Sequence, residues 1–300
     1  MTLVLHRRGT RSHRSLRAAA VAPLVLLALL SGCGDDEDGT APSPSAGPTS
    51  ASPSPTSEAP VETREAGVWF QVDTPRLGLR LARELRDLPS DDAVRAGVEA
   101  MIAGPDDPDY SSPWNPETEV LATDREGDRI TVDLSSEART ANVGSAGAAL
   151  MIQQLVHTAT DAAGAPKAGV ELLIEGEPAG ELWGAVAWEG PVTRENPDDV
   201  RALVQIDNPR EGAVVAGPLT VNGEANVFEA TVVWRILTED GDVVDSSFVM
   251  TSEGFTFAPF EFGIVLDPGT YVVEIQEDDP SAGEAGPPIT DTRTVTIESE

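Results

Sequence analysis

The chain has 300 residues, one cysteine, three histidines and a formal net charge of −31, and this length suits one large or two modest domains. The negative charge makes nucleic-acid binding the least favoured function, because that function depends on Lys and Arg side chains that neutralise phosphates. A single cysteine also excludes an intrachain disulfide framework, a cysteine-paired zinc site and an iron–sulfur cluster.

The first 32 residues predict a lipoprotein signal peptide. Arginine-rich residues 1–17 precede an apolar run, Ala18–Leu30, which is too short to span a membrane. The segment that follows, Leu-Ser-Gly-Cys at Leu30–Cys33, resembles a bacterial lipobox. The resemblance implies cleavage between Gly32 and Cys33 and a covalent diacylglycerol, with acyl chains such as palmitate, on the Cys33 sulfur. We expect no other cofactor, and we expect the lipid to hold the mature chain on the extracytoplasmic face of the cell membrane.

Residues 33–66 predict the lipidated cysteine followed by a disordered linker. The stretch Thr40–Pro60 contains six prolines and six serines but no leucine, isoleucine or aromatic residue. Such a composition cannot bury enough apolar surface to offset the entropy of ordering. The linker is therefore expected to act as a spacer between the membrane and the folded part of the chain.

Residues 67–191 predict a mixed two-layer α/β domain, because two helices with apolar stripes alternate with strand signals. The first helix is expected to follow Ser90 and end at Gly104, and the second is expected from Ser145 to Ala163. The strands are expected to form two hairpins, Glu119–Thr123 with Ile130–Leu134 and Val170–Ile174 with Leu182–Trp188.

Residues 200–300 predict an all-β immunoglobulin-like sandwich, since seven short strands without helical periodicity are typical of that fold. The strands are expected at Leu203–Ile206, Leu219–Val221, Glu229–Leu237, Val243–Met250, Phe255–Phe262, Tyr271–Gln276 and Thr292–Ile297. Asp240-Gly241 is a strong hairpin signal, and Trp234 is the expected core aromatic. The polar segment Thr193–Val200 between the domains is compatible with a hinge or with a fixed elbow.

The first domain resembles the GerMN domain of bacterial germination and sporulation proteins, through the segments Met101–Pro105, Ile130–Ser135 and Gln154–Thr158. The second resembles the immunoglobulin-like domain that often follows GerMN, through Asn208–Gly212, Pro218–Gly223, Phe228–Ala230 and Phe257–Phe260. The resemblance covers about residues 67–300 and implies a cell-envelope lipoprotein without known catalysis, related to germination, sporulation or the modulation of sensors. One lysine among 20 basic residues indicates a GC-rich genome such as an actinobacterial one.

His157 is the histidine that remains after signal cleavage, and it is therefore the first candidate for catalysis. Asp161 lies one helical turn away, within hydrogen-bonding reach. A Ser–His–Asp relay would also need a serine such as Ser135 or Ser136, and no GxSxG motif presents one. We therefore expect His157 to lie on the polar face of its helix and the protein not to be an enzyme.

Two acidic clusters are candidate calcium sites, namely Asp106, Asp107 and Asp109 in a proline-flanked loop and Glu277, Asp278 and Asp279 at the end of a strand. Neither cluster has the DxDxDG spacing of a preorganised calcium loop. We favour solvated acidic turns that keep the protein soluble, and no metal site.

Four phenylalanines between residues 255 and 262 are candidates for the core or for an interaction surface. Phe255 and Phe257 differ in strand parity from Phe260 and Phe262, which predicts a bulge at Ala258-Pro259. We favour two pairs that both face the core. The alternative is that one pair forms an exposed aromatic patch of the kind that marks interfaces.

Trp183 and Trp188 also differ in parity, so one of them is expected to be partly exposed. The candidate interaction surface therefore comprises Phe260, Phe262, Trp183 and Trp188.

The preferred function is a membrane-tethered, non-enzymatic module that binds another envelope protein, or copies of itself, through sheet edges and aromatic surface. The alternative is a module that binds cell-wall glycan or peptide in the cleft between the domains, where exposed Trp or Tyr side chains are expected. A hydrolase has the least support from the sequence.

Overall fold

The computed structural model describes residues 62–278, 281, 283–284 and 286–299. The predicted signal peptide, Gly32, Cys33 and the linker up to residue 61 lie outside the described residues, as does Asp279. Within the described ranges, no helix combines the length and the apolar character that crossing a membrane requires.

The first domain contains two larger sheets, one two-stranded hairpin and two long helices. Its elements are β1 Thr63–Thr74, β2 Gly78–Pro89, α1 Ala93–Ala103, β3 Tyr110–Ser111, β4 Val120–Glu126, β5 Arg129–Leu134, α2 Ser145–Ala162, β6 Gly169–Ile174, β7 Glu177–Pro178, β8 Gly180–Leu182 and β9 Val186–Trp188. One sheet has the order β2-β1-β3 and the other the order β4-β5-β6-β7. Strands β5 and β6 are parallel, and α2 supplies the crossover that parallel neighbours require. The mixed α/β class is confirmed.

Local signals account for both predicted helices. Helix α1 ends at Gly104, whose φ of +104° a side chain would disfavour. The apolar stripe of α2, which includes Met151 and Leu155, packs in the same core as Val68 and Phe70 of β1. Burial of this stripe stabilises α2, since tertiary packing of one face provides most of the stability of a helix in a protein.

The two longest strands, β1 and β2, were not predicted. Residues 66–71 of β1 are all buried, so they show no alternation of polar and apolar residues, and β2 places Glu84 among buried positions. Because β1 begins at Thr63, the last residues of the segment predicted as linker, 33–66, are strand.

The prediction that Leu182–Trp188 forms one strand beside β6 is wrong. Strand β6 pairs with β7, whereas β8 and β9 pair with each other in a separate small hairpin. The chain reverses at Trp183 and Gly184, which both have positive φ. An αL tryptophan is uncommon, so Trp183 itself gave no turn signal.

The second domain is a sandwich of two sheets, ordered β10-β12-β15 and β11-β17-β16-β13-β14. Its elements are α3 Pro197–Val200, β10 Val204–Asn208, β11 Ala213–Ala216, β12 Leu219–Ala225, β13 Thr231–Thr238, β14 Val243–Met250, β15 Ala258–Ile264, β16 Gly269–Glu277 and β17 Thr290–Glu298. The immunoglobulin-like class is confirmed, with Trp234 in the core and Gly241 in the turn between β13 and β14. An eighth strand, β11, was not predicted.

Candidate functional site

The two domains meet at a buried ionic junction around Arg293 of β17. Arg293 is 2% exposed, pairs with Asp107, and donates to the Tyr110 hydroxyl and the Ile206 carbonyl, each at 3.0 Å. Asp291 accepts from the Tyr110 hydroxyl at 2.7 Å and from the Ile206 N–H at 2.6 Å. Burial lowers the pKa of the Arg293 guanidinium, but the negative charges of Asp291 and Asp107 outweigh it and raise that pKa overall.

A second contact between the domains joins β2 to β10. Arg83 donates two hydrogen bonds to the Asp207 carboxylate, at 2.9 and 2.7 Å. Arg201 donates to Glu224 at 2.7 Å and lies over the Trp69 ring at 5.1 Å. Bidentate pairs with low exposure hold their geometry well. These contacts favour a fixed elbow between the domains over a hinge.

A small cleft, with a volume of about 20 Å³, lies beside this junction. Its walls are mainly charged, and they include Glu84, Arg86, Asp106, Arg210 and Glu211. Among the described residues, no Trp or Tyr side chain lines it. The cleft therefore lacks the aromatic platform expected for a glycan-binding site.

The structure places His157 in the core and not on a polar helix face, so that prediction is wrong. Its side chain is 2% exposed and packs edge-on against Trp69, with ring centroids 4.7 Å apart. Burial lowers the pKa of the imidazole to about 2, and the charges of Arg194 and Arg201 act in the same direction. Neither ring nitrogen has a hydrogen-bond partner in the described part of the chain.

Asp161 does not orient His157. Its carboxylate accepts from the Trp69 indole N–H at 2.6 Å and pairs with Arg194. The hydroxyl of Ser135 accepts from the Glu119 N–H at 2.9 Å. The residues considered for a catalytic relay therefore have separate structural roles.

The acidic clusters are only partly solvated turns. Asp107 is buried against Arg293, and Asp109 accepts from the Thr292 hydroxyl at 2.8 Å. Glu277 is also buried, where it pairs with Arg76. For Asp107 and Glu277 the prediction of solvated turns is wrong, because each carboxylate joins the two domains. No group of three metal-ligating side chains occurs among the residues described.

Two of the four predicted surface aromatics are buried, so that part of the prediction is wrong. Trp188 packs in the core of the first domain and Phe260 in the core of the second. Phe262 is half-buried and stacks on Trp234 with ring centroids 4.8 Å apart. Trp183 is half-buried and donates its indole N–H to the Ala138 carbonyl at 2.9 Å.

The burial of Phe260 depends on a glycine in the neighbouring strand. Strand β15 begins at Ala258, and Phe260 lies directly opposite Gly223 of β12. A Cβ atom on Gly223 would lie 2.9 Å from the Phe260 ring and 2.0 Å from the Gln205 carbonyl oxygen. Strand parity alone could not show that this gap receives the ring.

Several exposed apolar side chains lie instead at β14 and at the loops beside its end. We call this the β14 surface; its four members, with their exposed fractions, are Phe228 (43%), Phe248 (63%), Met250 (52%) and Phe255 (71%). The rings of Phe228 and Phe255 meet edge to face with centroids 5.6 Å apart. Strand pairing places Met250 opposite Thr231, three residues after Phe228.

The backbone that presents these phenylalanines is strained. Glu229, Ala230 and Phe255 have φ values between +51° and +59°, in the left-handed region that side chains disfavour. The Phe255 N–H donates to the Val227 carbonyl and so joins the two loops. Strain of this kind persists only where the surroundings enforce it, and it is concentrated at functional sites.

The sequence around β14 is acidic, and Arg235 of the paired strand β13, which lies opposite Ser246, pairs with Glu274. From Ile236 to Thr292 the chain contains 13 Asp or Glu residues and no Lys, Arg or His. Asp240, Asp242 and Asp245 lie in or beside β14 and are exposed. The β14 surface therefore combines apolar side chains with a negative field.

Phe248 and Met250 were not predicted as surface residues, although the sequence of β14 contains one signal. The three polar residues Asp245–Ser247 interrupt the strand, so neither of its faces is continuously apolar. This pattern is typical of an edge strand that no second layer covers.

Two family models match the chain. Residues 68–180 match the model for sporulation and spore germination, Germane. Residues 203–284 match the immunoglobulin-like domain of bacterial spore germination, Gmad2. Comparison with curated proteins found no match.

Similar solved structures include the tandem GerMN domains of the sporulation protein GerM from Bacillus subtilis, with 14% identity over 48% of this chain and 50% of that chain and a TM-score of 0.38. The first GerMN domain of the same protein has 19% identity over 45% and 99% of the two chains, with a TM-score of 0.34. A putative lipoprotein from Clostridium perfringens has 15% identity over 46% and 93%, with a TM-score of 0.31. The match to the tandem domains thus spans half the length of that protein.

Proposed function

Because this chain is a germination-type protein in which a GerMN domain precedes a spore-germination immunoglobulin-like domain, we propose that it is a non-enzymatic binding module of the cell envelope. In this proposal a lipid on Cys33 anchors the chain at the extracytoplasmic face of the membrane, and the folded part binds another envelope protein. The observation that carries the binding role is the β14 surface.

Exposed apolar area is unfavourable in water, and covering it contributes about 25 cal/mol per Å². On the β14 surface, Phe248 and Met250 lie two residues apart on one strand face, and the rings of Phe228 and Phe255 are in contact, whereas scattered single apolar residues are normal on a protein surface. A partner that covers these side chains gains this free energy.

The environment of His157 supports the non-enzymatic part of the proposal. A general base must reach the proton that it removes, and His157 is enclosed by Trp69 and the core. Its partners for a relay, Asp161 and Ser135, are engaged elsewhere.

The anchor is tested by Cys33→Ala. We expect this variant to move from the membrane fraction to the soluble fraction, because the sulfur that would carry the lipid is lost and a net charge of −31 favours no attraction to anionic lipid. The measurement is immunoblotting of fractionated cells, with Ser31→Ala as the control that keeps the cysteine. Membrane retention of Cys33→Ala would contradict the anchor.

The binding role is tested by a photo-cross-linking amino acid at position 248 in intact cells. We expect a specific adduct with another envelope protein, identified by mass spectrometry. The matched control is position 121, since Leu121 is an exposed apolar residue of β4 in the other domain. Equal adducts from both positions, or none from 248, would contradict the proposal, and adducts with wall glycan would favour the alternative function.

A further inference from the structure

We propose that β14 binds an extended basic segment of a partner protein, which adds to the open edge of the five-stranded sheet as a further strand. The inference rests on the proposed function and specifies how the partner is held and what its chemistry is. It follows from the hydrogen-bonding groups of β14, from its apolar neighbours and from the surrounding charge.

The backbone of β14 has an unpaired edge. In the described sheet β14 is the last strand, and it pairs with β13 alone. The Thr251 N–H, just beyond the strand, donates toward β13 to the Ala230 carbonyl at 2.8 Å. Since N–H directions alternate along an antiparallel strand, those of Ser246, Phe248 and Met250 point to the open edge.

The hydrogen bond of the Ser246 N–H agrees with this orientation toward the open edge. This N–H does not donate to β13 and instead donates to the carboxylate of Asp245, the preceding residue, at 2.8 Å. An incoming strand must take this N–H from Asp245. A Lys or Arg side chain on that strand would attract the carboxylate and free the donor.

The apolar part of the site lies along the same edge. Phe248 and Met250 stand on one face of β14, opposite Val233 and Thr231. An added strand would place alternate side chains beside them, because neighbouring strands align side chains of one face. Phe228 and Phe255 extend that contact beyond the end of the strand.

The charge decides which occupant fits. A second copy of this chain would bring two sets of Asp240, Asp242 and Asp245 together, and like charges on paired strands are destabilising. An acidic partner meets the same repulsion. A segment that alternates apolar residues with Lys or Arg covers the apolar side chains and also neutralises the carboxylates.

The test uses the full chain purified in detergent and a fluorescent octapeptide that alternates lysine and valine, with binding measured by anisotropy. We expect this peptide to bind at least tenfold more tightly than its glutamate–valine and lysine–serine counterparts, with affinity falling as salt rises. Equal binding of the lysine–valine and lysine–serine peptides would overturn the proposal, because charge alone would then explain the affinity.

The edge is tested by Ser246→Pro, with Ser246→Ala as the matched control. Proline removes an N–H that β13 does not use, so the sheet is retained, and it is tolerated on edge strands. We expect at least a tenfold loss of peptide affinity for Ser246→Pro and no loss for Ser246→Ala. If the circular dichroism spectrum shows that the proline variant is unfolded, Phe248→Ser is used instead, because Phe248 is exposed. We expect the Phe248→Ser variant to lose peptide affinity at least threefold. Unchanged affinity in a folded variant overturns strand addition.

Two further outcomes separate this inference from the proposed function. If the cross-link from position 248 persists unchanged in cells that carry the Ser246→Pro variant, strand addition is rejected. The proposed binding role would not be affected by that result. Sedimentation that shows a dimer of the full chain, abolished by Ser246→Pro, would identify a second copy as the occupant and overturn the basic-segment proposal.

Discussion

Replacement of Arg293 by alanine is expected to lower the free energy of unfolding by about 3–5 kcal/mol, the range typical of breaking a buried ion pair on one side. The substitution would leave the carboxylates of Asp107 and Asp291 buried without their cation. It would also remove the donor to the Ile206 carbonyl. Urea denaturation of the full chain measures the change.

Arg235→Ala is the matched control, because Arg235 lies in the same domain and pairs with Glu274 at a more exposed position. We expect this control to lower the free energy of unfolding by less than about 1 kcal/mol, as is typical of exposed ion pairs. Arg293→Lys should fall between the two, since lysine keeps the charge but cannot donate to all the same acceptors. A loss for Arg293→Ala that is as small as the one expected for Arg235→Ala, about 1 kcal/mol or less, would show that the junction does not stabilise the fold.

Replacement of His157 by methionine is expected to make the chain less sensitive to acid. The folded state keeps the imidazole neutral, with a pKa of about 2, whereas the unfolded chain takes up a proton below about pH 6.5. Below that pH the unfolded state therefore binds more protons, and the wild type loses about 1.4 kcal/mol of stability per pH unit through this residue. The variant lacks this loss. At pH 5 its free energy of unfolding should therefore rise by about 2 kcal/mol relative to that of the wild type.

The measurement compares variant and wild type by denaturation at pH 8 and pH 5, so that titrating groups shared by both chains cancel. At pH 8 we expect a difference within about 1.5 kcal/mol, because methionine is similar in volume and the ring nitrogens have no bond to lose in the described structure. Gln154→Met is the control, since Gln154 is buried on the same helix and does not titrate. A difference for His157→Met that is equal at both pH values would contradict the prediction.

Elements whose signals are local agreed with the sequence analysis. The stripe of α2, the stop at Gly104 and the hairpin turn at Gly241 each depend on residues within a few positions of one another. Strands β1 and β2 were missed because residues 66–71 of β1 are all buried, without alternation, and because charged residues interrupt the apolar pattern of β2. Arg83, for example, is acceptable there only because Asp207 of the other domain supplies its partner.

The candidate site was predicted less well for the same reason. Phe260 and Trp188 are aromatic residues of the kind found in interaction surfaces, but both are buried in the domain cores. Phe248 is equally apolar in sequence, and it is exposed because β14 ends its sheet. Exposure thus depended on which strand has no neighbour, and no spacing within a strand encodes that.

The sequence by itself determined the order and class of the two domains and the acidic field around β14, because periodicity, turn residues and charge are properties of the chain in any conformation. Only the tertiary structure decided that His157 and Asp107 are buried and that Phe248 is exposed. Burial is a relation between residues far apart in sequence, and packing alone brings them together.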